Sequence, residues 1–206
     1  MNDVPREVTL AFAGASGAQY GLRLLEQLVL ANVCISLVIS SAGHLVIHDE
    51  TDLKVPGNPL KIADYFQERF SAASGQIKAY GKDQWSSPLA SGTGAPKTMI
   101  VCPCSTGCLS AIAVGASDNL LERAADVVIK EQGKLVLVVR EMPLSAIHLE
   151  HMLNLARLGV CIMPASPGFY FRPQSVDDLV DFTVARILDQ INVSHTLSER
   201  WGKTVA

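Results

Sequence analysis

Two short loops of glycine and serine contain the residue types that bind phosphate. The first, residues 14–17 (GASG), follows an apolar run and precedes residues with helical spacing. The second, residues 103–108 (PCSTGC), follows a later apolar run, and its Ser105 is well placed to cap a helix. Free N–H groups and the positive end of the helix dipole meet at such helix starts, so each loop can hold a phosphate. The alternative for each loop is a tight turn or a cap without a ligand.

The spacing of the first loop differs from the dinucleotide-binding fingerprint. That fingerprint needs G-x-G-x-x-G and an acidic residue about twenty positions further on, whereas the second apolar run here ends in Ser40. Two loops that can each bind phosphate, at one edge of a sheet, instead suggest a ligand with one phosphate and a planar ring system. Flavin mononucleotide (FMN) is the natural candidate.

Cationic side chains occur in three further regions. Arg123 and Lys130 lie seven positions apart in a segment with helical spacing, so they share one face of a helix. A solvated, charged helix face is the alternative explanation for that pair. Arg140 and Glu141 end an apolar run, at the place where α/β proteins bind ligands. The third region, consistent with a second phosphate, contains Tyr170, Arg172 and Arg186.

The cysteine and histidine spacings do not predict a metal site. Cys102, Cys104 and Cys108 form C-x-C-x3-C, which matches no usual zinc pattern and lacks an obvious fourth ligand. The histidine pairs lack the glutamate of a metalloprotease helix, and we expect surface or capping roles for them. The odd total of five cysteines is typical of reduced thiols rather than of a disulfide framework.

Apolar runs alternate with amphipathic segments, and this alternation predicts the elements that position the candidate residues. Strands that read as unbroken Val, Ile and Leu are buried on both faces, as in parallel sheets covered by helices. The sequence therefore predicts a doubly wound α/β fold, Rossmann-like or flavodoxin-like, with a mostly parallel sheet and helices on both faces. The predicted strands are 7–13, 34–40, 98–102, 135–140 and 160–164. The predicted helices are 20–30, 118–131 and 175–191, with others from about 42, 105 and 145.

Length and composition favour one compact domain that spans all 206 residues. Segment 52–97 interrupts the alternation of strands and helices. We expect it to contain a helix near 62–71, a strand near 77–80 and a ligand-facing stretch at 91–94, since small residues let a backbone approach a ligand closely. Residues 193–206 form a C-terminal tail.

Charge and apolar content argue against two classes of partner. Lys and Arg number 17 against 20 Asp and Glu, a net charge of −3, which argues against general binding to nucleic acid or to an anionic membrane. No apolar run approaches the roughly 20 residues that cross a bilayer. The start of the sequence lacks a secretory signal, and we expect a cytoplasmic protein.

Taken together, these segments resemble the UbiX-type flavin prenyltransferases over roughly residues 8–192. The resemblance is carried by GASGAQYGLRLLEQL, PCSTGCLSAIAVG, DNLLERAADVVIKE, LVLVVREMPLSAIHLEHMLNL, MPASPGFYFRPQSVDDLVDF and VARILDQI. It implies a flavodoxin-like fold, a dodecamer assembled from trimers, and no metal. It also implies an activity in which the dimethylallyl group of dimethylallyl monophosphate is joined to reduced FMN. The product, prenylated FMN, is the cofactor of UbiD-type decarboxylases.

The resemblance also implies a role for each candidate site residue. The residues expected to line FMN are Gly14, Ala15, Ser16, Ser40, Ser105, Thr106, Gly107, Cys108 and Arg140. Those expected around the prenyl phosphate are Ser91, Gly92, Arg123, Lys130, Tyr170 and Arg186, with Trp85 and Trp201 near the isoprenyl chain. The expected catalytic set is Ser16, Glu50, Lys130 and Glu141, in which the two glutamates are acid–base groups. Cys108 departs from the Thr that is common in the family, so a thiol, which is a weak donor, replaces a hydroxyl.

Three other functions are open from the sequence. FMN-dependent cysteine decarboxylases share the fold, but their relatives have a P-A-S-A-N-T stretch and an essential His, whereas residues 164–170 here read PASPGFY without Asn. A flavin carrier without turnover would not need the full set of cationic and acidic residues named above. Direct decarboxylation of aromatic acids is disfavoured because no electron sink besides bound FMN is evident.

Overall fold

Six parallel strands form one sheet at the centre of the molecule. The computed structural model describes residues 5–198. The strands are β1 (Glu7–Phe12), β2 (Cys34–Ile39), β3 (Ile77–Tyr80), β4 (Thr98–Cys104), β5 (Lys134–Val139) and β6 (Cys161–Pro164). Their order across the sheet is β3-β2-β1-β4-β5-β6, so the direction of winding reverses between β1 and β4. This order is that of Rossmann folds, and the predicted doubly wound architecture is confirmed.

Helices connect the strands, and most of them begin at a polar cap. Within residues 5–198 they are α1 (Ala18–Leu30), α2 (Ser41–Glu50), α3 (Pro59–Arg69), α4 (Thr106–Ala113), α5 (Leu120–Lys130), α6 (Ala146–Arg157) and α7 (Val176–Gln190). Six of them start after a side chain that accepts a backbone N–H of the first turn, which a helix start otherwise leaves without a partner. These caps are Ser40, Asn58, Ser105, Asn119, Ser145 and Ser175. None of these helices is long and apolar enough to span a membrane.

The helices cover both faces of the sheet and bury its side chains. On one face, α1, α3 and α7 pack over residues such as Leu10 and Phe12. On the other face, α4, α5 and α6 pack over residues such as Ala11 and Val101. Because both faces are buried, the central strands need apolar side chains at every position, and this explains their nearly continuous apolar sequence.

Segment 52–97 adds an edge strand to the sheet and then runs towards β4. It contains α3, β3 and a short 3-10 helix at Pro88–Ala90. The expected strand is β3, and the expected helix is α3, which begins earlier than expected because Asn58 caps it. Beyond β3, the N–H of Leu120 donates to the carbonyl of Lys82 at 2.7 Å. This bond fixes the segment beside the start of α5.

The loops that follow the strands meet at one edge of the sheet, which we term the carboxyl edge. Parallel strands end at the same side, so the loops after β1, β2, β4 and β5 are neighbours there. Three backbone hydrogen bonds join them, from Ser40 to Phe12 at 3.0 Å, from Ala13 to Pro103 at 3.1 Å and from Arg140 to Cys104 at 3.2 Å. The direction of winding reverses between β1 and β4, and sheets of this kind usually bind a ligand in the crevice at that point of their carboxyl edge.

Candidate active site

The amino end of α1 is occupied by a carboxylate of the chain itself. Glu50, the last residue of α2, accepts hydrogen bonds from the backbone N–H groups of Gly17 and Ala18, each at 2.9 Å. These are the N–H groups from which the sequence predicted a phosphate site in the first glycine loop. The Glu50 carboxylate accepts the donors that a phosphate would need, and a phosphate at this loop stays a prediction.

The surroundings of Glu50 favour its ionised form. Partial burial opposes ionisation, but hydrogen bonds from Ser16, Ala18 and Gly17, together with the positive charge of Arg140, outweigh it and lower the pKa of the Glu50 carboxyl. Glu50 is therefore an anion at neutral pH.

The amino end of α4 is open, in the sense that two of its N–H groups have no acceptor among the described residues, whereas that of α1 is closed by Glu50. Ser105 caps α4 by accepting the N–H of Cys108 at 3.3 Å, while the N–H groups of Thr106 and Gly107 have no acceptor among residues 5–198. A methyl group placed on Gly107 would meet no described atom within 4 Å. Unpaired N–H groups at a helix start, with free space in front of them, suit a phosphate.

The thiol of Cys108 is engaged inside the protein. It lies beside the thiol of Cys104, which is fully buried at the end of β4 and donates to the carbonyl of Ser105 at 3.6 Å. The neighbouring Cys108 thiol and burial both raise the pKa of Cys104, so its thiol stays protonated. The departure from Thr at position 108 therefore exchanges a hydroxyl for a thiol that contacts another thiol.

The residues predicted to line FMN lie around the carboxyl edge. Arg140 donates from Nε to the carbonyl of Ser16 at 3.2 Å, which links the loop after β5 to the loop after β1. Ser40 accepts the N–H of Gly43 at 2.9 Å and so caps α2 beside them. Gly14 lies against Ala42 with no room for a side chain between the two backbones. Together with the open start of α4, these residues surround the crevice between β1 and β4.

Glu141 lies at the same edge and is held from two sides. Its carboxylate accepts the Met142 N–H at 3.1 Å and the Thr106 hydroxyl at 3.1 Å. These two hydrogen bonds, with smaller effects from the charges of Arg140 and His148, outweigh desolvation and lower the pKa of Glu141. Glu141 is thus an ionised carboxylate with a fixed orientation at the site.

Four of the residues expected around the prenyl phosphate lie along α5, and we term them the α5 flank: Ser91, Gly92, Arg123 and Lys130. Arg123 donates from Nε to the carbonyl of Ala90 at 3.2 Å. Gly92 lies against Glu131, which forms an ion pair with Lys130. The segment before β4 and the helix before β5 are therefore in contact, and each cation of this flank has an acidic neighbour: Arg123 pairs with Asp126 at 2.6 Å, and Lys130 pairs with Glu131.

The α5 flank extends away from the carboxyl edge. α5 starts beside Lys82 at the carboxyl edge and ends near Lys134, the first residue of β5. Lys130, at the end of α5, is therefore separated from Arg140 by the length of β5, roughly 20 Å for a strand of six residues. A single chain does not bring Lys130 and the FMN-lining residues into contact.

Tyr170 and Arg186 lie on the other face of the sheet, and we term them the α7 flank. The Tyr170 ring packs edge-on against Phe171 and Phe182, with centroid distances of 5.9 and 5.7 Å. Arg186 donates from Nη1 to Asp189 at 2.7 Å. Because α5 and α7 cover opposite faces of the sheet, the two flanks are separate within one chain.

The structure describes one of the two tryptophans that were predicted near the isoprenyl chain. Trp85 lies in segment 52–97 with 47% of its surface exposed, and Trp201 lies outside the described residues.

Sequence reasoning missed Asp189 and His195, which contact each other beside Arg186. The i, i+3 spacing of Arg186 and Asp189 could have indicated from the sequence that these two side chains meet. The approach of His195 to Asp189 depends on the direction of the chain after α7, which local spacing does not indicate.

The side chains that bind metals do not converge in the described part of the chain. Residues 5–198 contain no group of three or more His, Cys, Asp or Glu side chains that could hold a metal ion. All five cysteines are free thiols. His148, for which a surface or capping role was expected, completes a capping box with Ser145 at the start of α6.

Comparison with known proteins identifies the family to which this geometry belongs. Residues 1–188 match the family model described as Flavoprotein. The chain is 53% identical to the flavin prenyltransferase UbiX of Pseudomonas aeruginosa, over 97% of this chain and 95% of that protein. It is 36% identical to AnUbiX, whose crystal structure is a complex with FMN and dimethylallyl pyrophosphate. That match has a TM-score of 0.85 and covers 96% of this chain and 98% of AnUbiX.

A second solved structure agrees with the first. The dodecameric FMN-dependent UbiX-like decarboxylase of Escherichia coli O157:H7 is 40% identical, with a TM-score of 0.82 over 95% of this chain and 98% of that one. The resemblance inferred from the motifs is thus confirmed over nearly the whole length. The chain belongs to the Flavoprotein family and, within it, to the UbiX-type flavin prenyltransferases.

Proposed function

We propose that this protein is a flavin prenyltransferase that joins the dimethylallyl group of dimethylallyl phosphate to N5 and C6 of reduced FMN. The observation that carries the proposal is the open amino end of α4, which lies beside Arg140 and the ionised Glu141. The 53% identity to a flavin prenyltransferase and the FMN and prenyl pyrophosphate complex of AnUbiX support it.

The residues at the carboxyl edge fit FMN. The unpaired N–H groups of Thr106 and Gly107 suit its phosphate, and Arg140 adds a positive charge. The small residues Gly14 and Ser16 suit close approach of the planar ring to the backbone. Reduced FMN supplies the nucleophilic atoms N5 and C6.

The Arg and Lys side chains of the two flanks suit the prenyl donor. Cleavage of the allylic C–O bond leaves growing negative charge on the departing phosphate. Arg and Lys side chains held in place before the reaction stabilise that charge where it develops. Arg123, Lys130 and Arg186 are our candidates for this role, with Ser91, Gly92 and Tyr170 around the same phosphate.

We further propose that the site is shared between copies of the chain. The α5 flank, the α7 flank and the carboxyl edge are separate within one chain, yet one substrate must reach all three. A closed homo-oligomer in which the flanks of one copy face the carboxyl edge of another satisfies this requirement. The dodecameric state of the Escherichia coli relative supports such an assembly here.

Two carboxylates can handle the protons that ring closure requires. Loss of a proton from the flavin ring needs a base, and protonation of the alkene needs an acid. Glu141 and Glu50 both have lowered pKa values and would act first as bases. Ser16 contacts Glu50, and its carbonyl accepts from Arg140, the residue before Glu141. Each carboxylate, once protonated, can return the proton.

The product and the compartment follow from this function. Prenylated FMN would pass to a UbiD-type decarboxylase, since it is the cofactor of that class. Action in the cytoplasm is supported by the five free thiols, which a reducing compartment maintains. The cysteine decarboxylase hypothesis is disfavoured because residues 164–170 lack Asn. The flavin-carrier hypothesis is disfavoured because the relative that is 53% identical is named as a flavin prenyltransferase.

An anaerobic reaction tests the proposal. The protein is incubated with FMN, dithionite and dimethylallyl monophosphate or diphosphate, and the extracted flavin is analysed by mass spectrometry. We expect a flavin heavier than FMN by one C5H8 unit, absent when the donor is omitted. Recovery of unmodified FMN with both donors would show that the protein only carries flavin.

A further inference from the structure

An aspartate and a buried histidine lie behind Arg186, and neither has a role in the function proposed above. Asp189 Oδ2 accepts the hydrogen bond from Arg186 Nη1 at 2.7 Å, and Asp189 Oδ1 lies 3.2 Å from His195 Nε2. Asp189 follows Arg186 by three positions on α7, so the two side chains share a face of the helix. One carboxylate thus connects the guanidinium to the imidazole.

The chain reverses direction after α7 and brings His195 back against the helix. Asn192 has a left-handed φ of 59°, and the N–H of Val193 donates to the carbonyl of Leu188 at 3.0 Å. Val193 is itself buried in the apolar core. The reversed segment is therefore anchored, and it holds the His195 side chain, which is only 3% exposed, beside Asp189.

The polar contacts of His195 point to a role other than packing. Its Nδ1 is buried and has no hydrogen-bond partner among residues 5–198. A buried nitrogen without a partner costs free energy, so an apolar side chain would serve packing better at this position. The tautomer with the proton on Nε2 is the one that can donate to Asp189.

The cluster lines a cavity that suits an anionic ligand with an apolar part. The cavity has a volume of about 850 Å³, and its wall contains Arg186, Asp189 and His195 together with the rings of Tyr170 and Phe182. Arg186 is 52% exposed, and the contact to Asp189 uses Nη1 alone among its nitrogens. A guanidinium has five N–H donors, so others can receive a phosphate.

We infer that Asp189 and His195 are positioning residues for the prenyl donor: Asp189 holds the Arg186 guanidinium towards the cavity, and His195 holds Asp189. A free arginine side chain loses much conformational entropy when it binds a ligand. Fixing the side chain beforehand removes part of that cost from binding. The identity of the donor rests on the proposed function.

Donor binding to variants of the FMN-loaded protein tests the inference. Dimethylallyl monophosphate is titrated by calorimetry, and Asp189→Asn should raise its Kd at least fivefold. The KM for the donor should rise by the same factor, with kcat changed less than twofold and FMN affinity unchanged. Asp181→Asn is the matched control, because it removes another Asp–Arg pair of α7, with Arg23 at 2.7 Å, and should leave the donor Kd unchanged.

Two substitutions of His195 separate positioning from packing. His195→Leu removes the Nε2 donor and should also raise the donor Kd, whereas His195→Gln keeps an N–H near the same place and should restore it. A merely structural role would lower the midpoint of thermal unfolding without changing the donor Kd in folded protein. Unchanged or tighter donor binding by Asp189→Asn, or equal loss in the two His195 variants, would overturn the inference.

The proposed function and the inference can fail separately. If the unmodified protein binds the donor and makes no prenylated flavin, the proposed function is wrong, and the comparison of Kd values still decides the role of Asp189. If the unmodified protein binds no donor, the inference is overturned as well.

Discussion

The Thr106 hydroxyl, in the first turn of α4, donates a hydrogen bond to the Glu141 carboxylate at 3.1 Å. The same turn contains the unpaired N–H groups that suit the phosphate of FMN. If FMN binds at this turn as we propose, one helix start would orient both the flavin phosphate and a group that can move protons. The carboxylate would then have a fixed place relative to the flavin.

Glu141→Gln should abolish most of the prenyl transfer while FMN stays bound. Glutamine keeps the size and one acceptor oxygen but cannot accept a proton. General acid–base catalysis is typically worth 10²–10⁴-fold, so single-turnover formation of prenylated FMN should slow by about that factor. Anaerobic stopped-flow spectra with mass analysis measure it. Cyclised product at the unmodified rate would remove Glu141 from the mechanism.

The hydrogen bond from Thr106 predicts a shift in pH dependence. Because this hydrogen bond helps to lower the pKa of Glu141, Glu141 stays ionised at pH values at which an ordinary glutamate is already becoming protonated. Thr106→Val should raise that pKa and move the acid limb of the pH–rate profile upwards, and Thr106→Ser should restore it. Identical acid limbs in the Val and Ser variants would contradict this coupling.

Glu50→Gln should destabilise the fold in a pH-dependent way. The carboxylate satisfies two N–H groups of α1 and interacts with the helix dipole, a contribution of about 0.5–1 kcal/mol for a partly exposed group. Its pKa is lowered in the folded state, so this contribution is present above the unfolded pKa and is lost as the pH falls through the folded pKa. Urea unfolding at pH 7 and pH 3.5 measures the difference, which should shrink at the lower pH. A constant difference would show that ionisation of Glu50 does not matter.

Gly107→Ala should weaken FMN binding without harming the fold. The added methyl enters the space in front of the open α4 start, where we expect the phosphate, so the Kd for FMN should rise at least tenfold. The free energy of unfolding should stay equal or rise by up to about 1 kcal/mol, since alanine favours helix. Gly57→Ala, where a methyl also meets no described atom within 4 Å, is the control. Equal FMN affinity of both variants would place the phosphate elsewhere.

Cys108→Thr should bind FMN at least as tightly as the natural chain. A hydroxyl is a better donor than a thiol and would lie in the first turn of α4 beside the expected phosphate. Cys108→Val has the same shape as threonine without the hydroxyl and should bind FMN more weakly than Cys108→Thr. Fluorescence titration with FMN compares the three proteins. Weaker binding by the Thr variant would indicate that the contact with Cys104 sets the local geometry.

Mixing two inactive variants should restore activity if the site is shared. Lys130→Ala should slow transfer at least tenfold with FMN retained, and Glu141→Gln damages the carboxyl edge instead. In an oligomer reassembled from equal amounts of both, about one quarter of the shared sites would combine two intact halves. Refolding the two variants together and assaying prenylated FMN measures this. No recovery beyond the sum of the separate variants would confine the site to one chain.

The sequence predicted the fold because its signals were local. Apolar runs such as 34–40 became strands, and Ser105, Ser145 and Ser175 became helix caps. Each of these outcomes depends on residues a few positions apart. The neighbourhood of the loops followed from the parallel architecture, whereas the strand order came only from the structure.

The sequence could not predict the contacts made between distant segments. Glu50 reaches Gly17 across 33 positions and closes a helix start that local spacing presents as open. Arg123 and Lys130 share a helix face as expected. Only the tertiary structure shows that Lys130, at the end of α5, lies far from Arg140. Electrostatic partners of this kind depend on packing and have no periodic signature.

The hydrogen bonds from the amino end of α1 to Glu50 bear on which cofactors can bind there. In Rossmann folds that bind NAD or FAD, the pyrophosphate sits on the amino end of the first helix. Here an anionic side chain already holds that position, and a pyrophosphate would have to displace it against charge repulsion. Glu50 would therefore compete with a dinucleotide for these N–H groups, whereas a mononucleotide could bind at the start of α4 without displacing it.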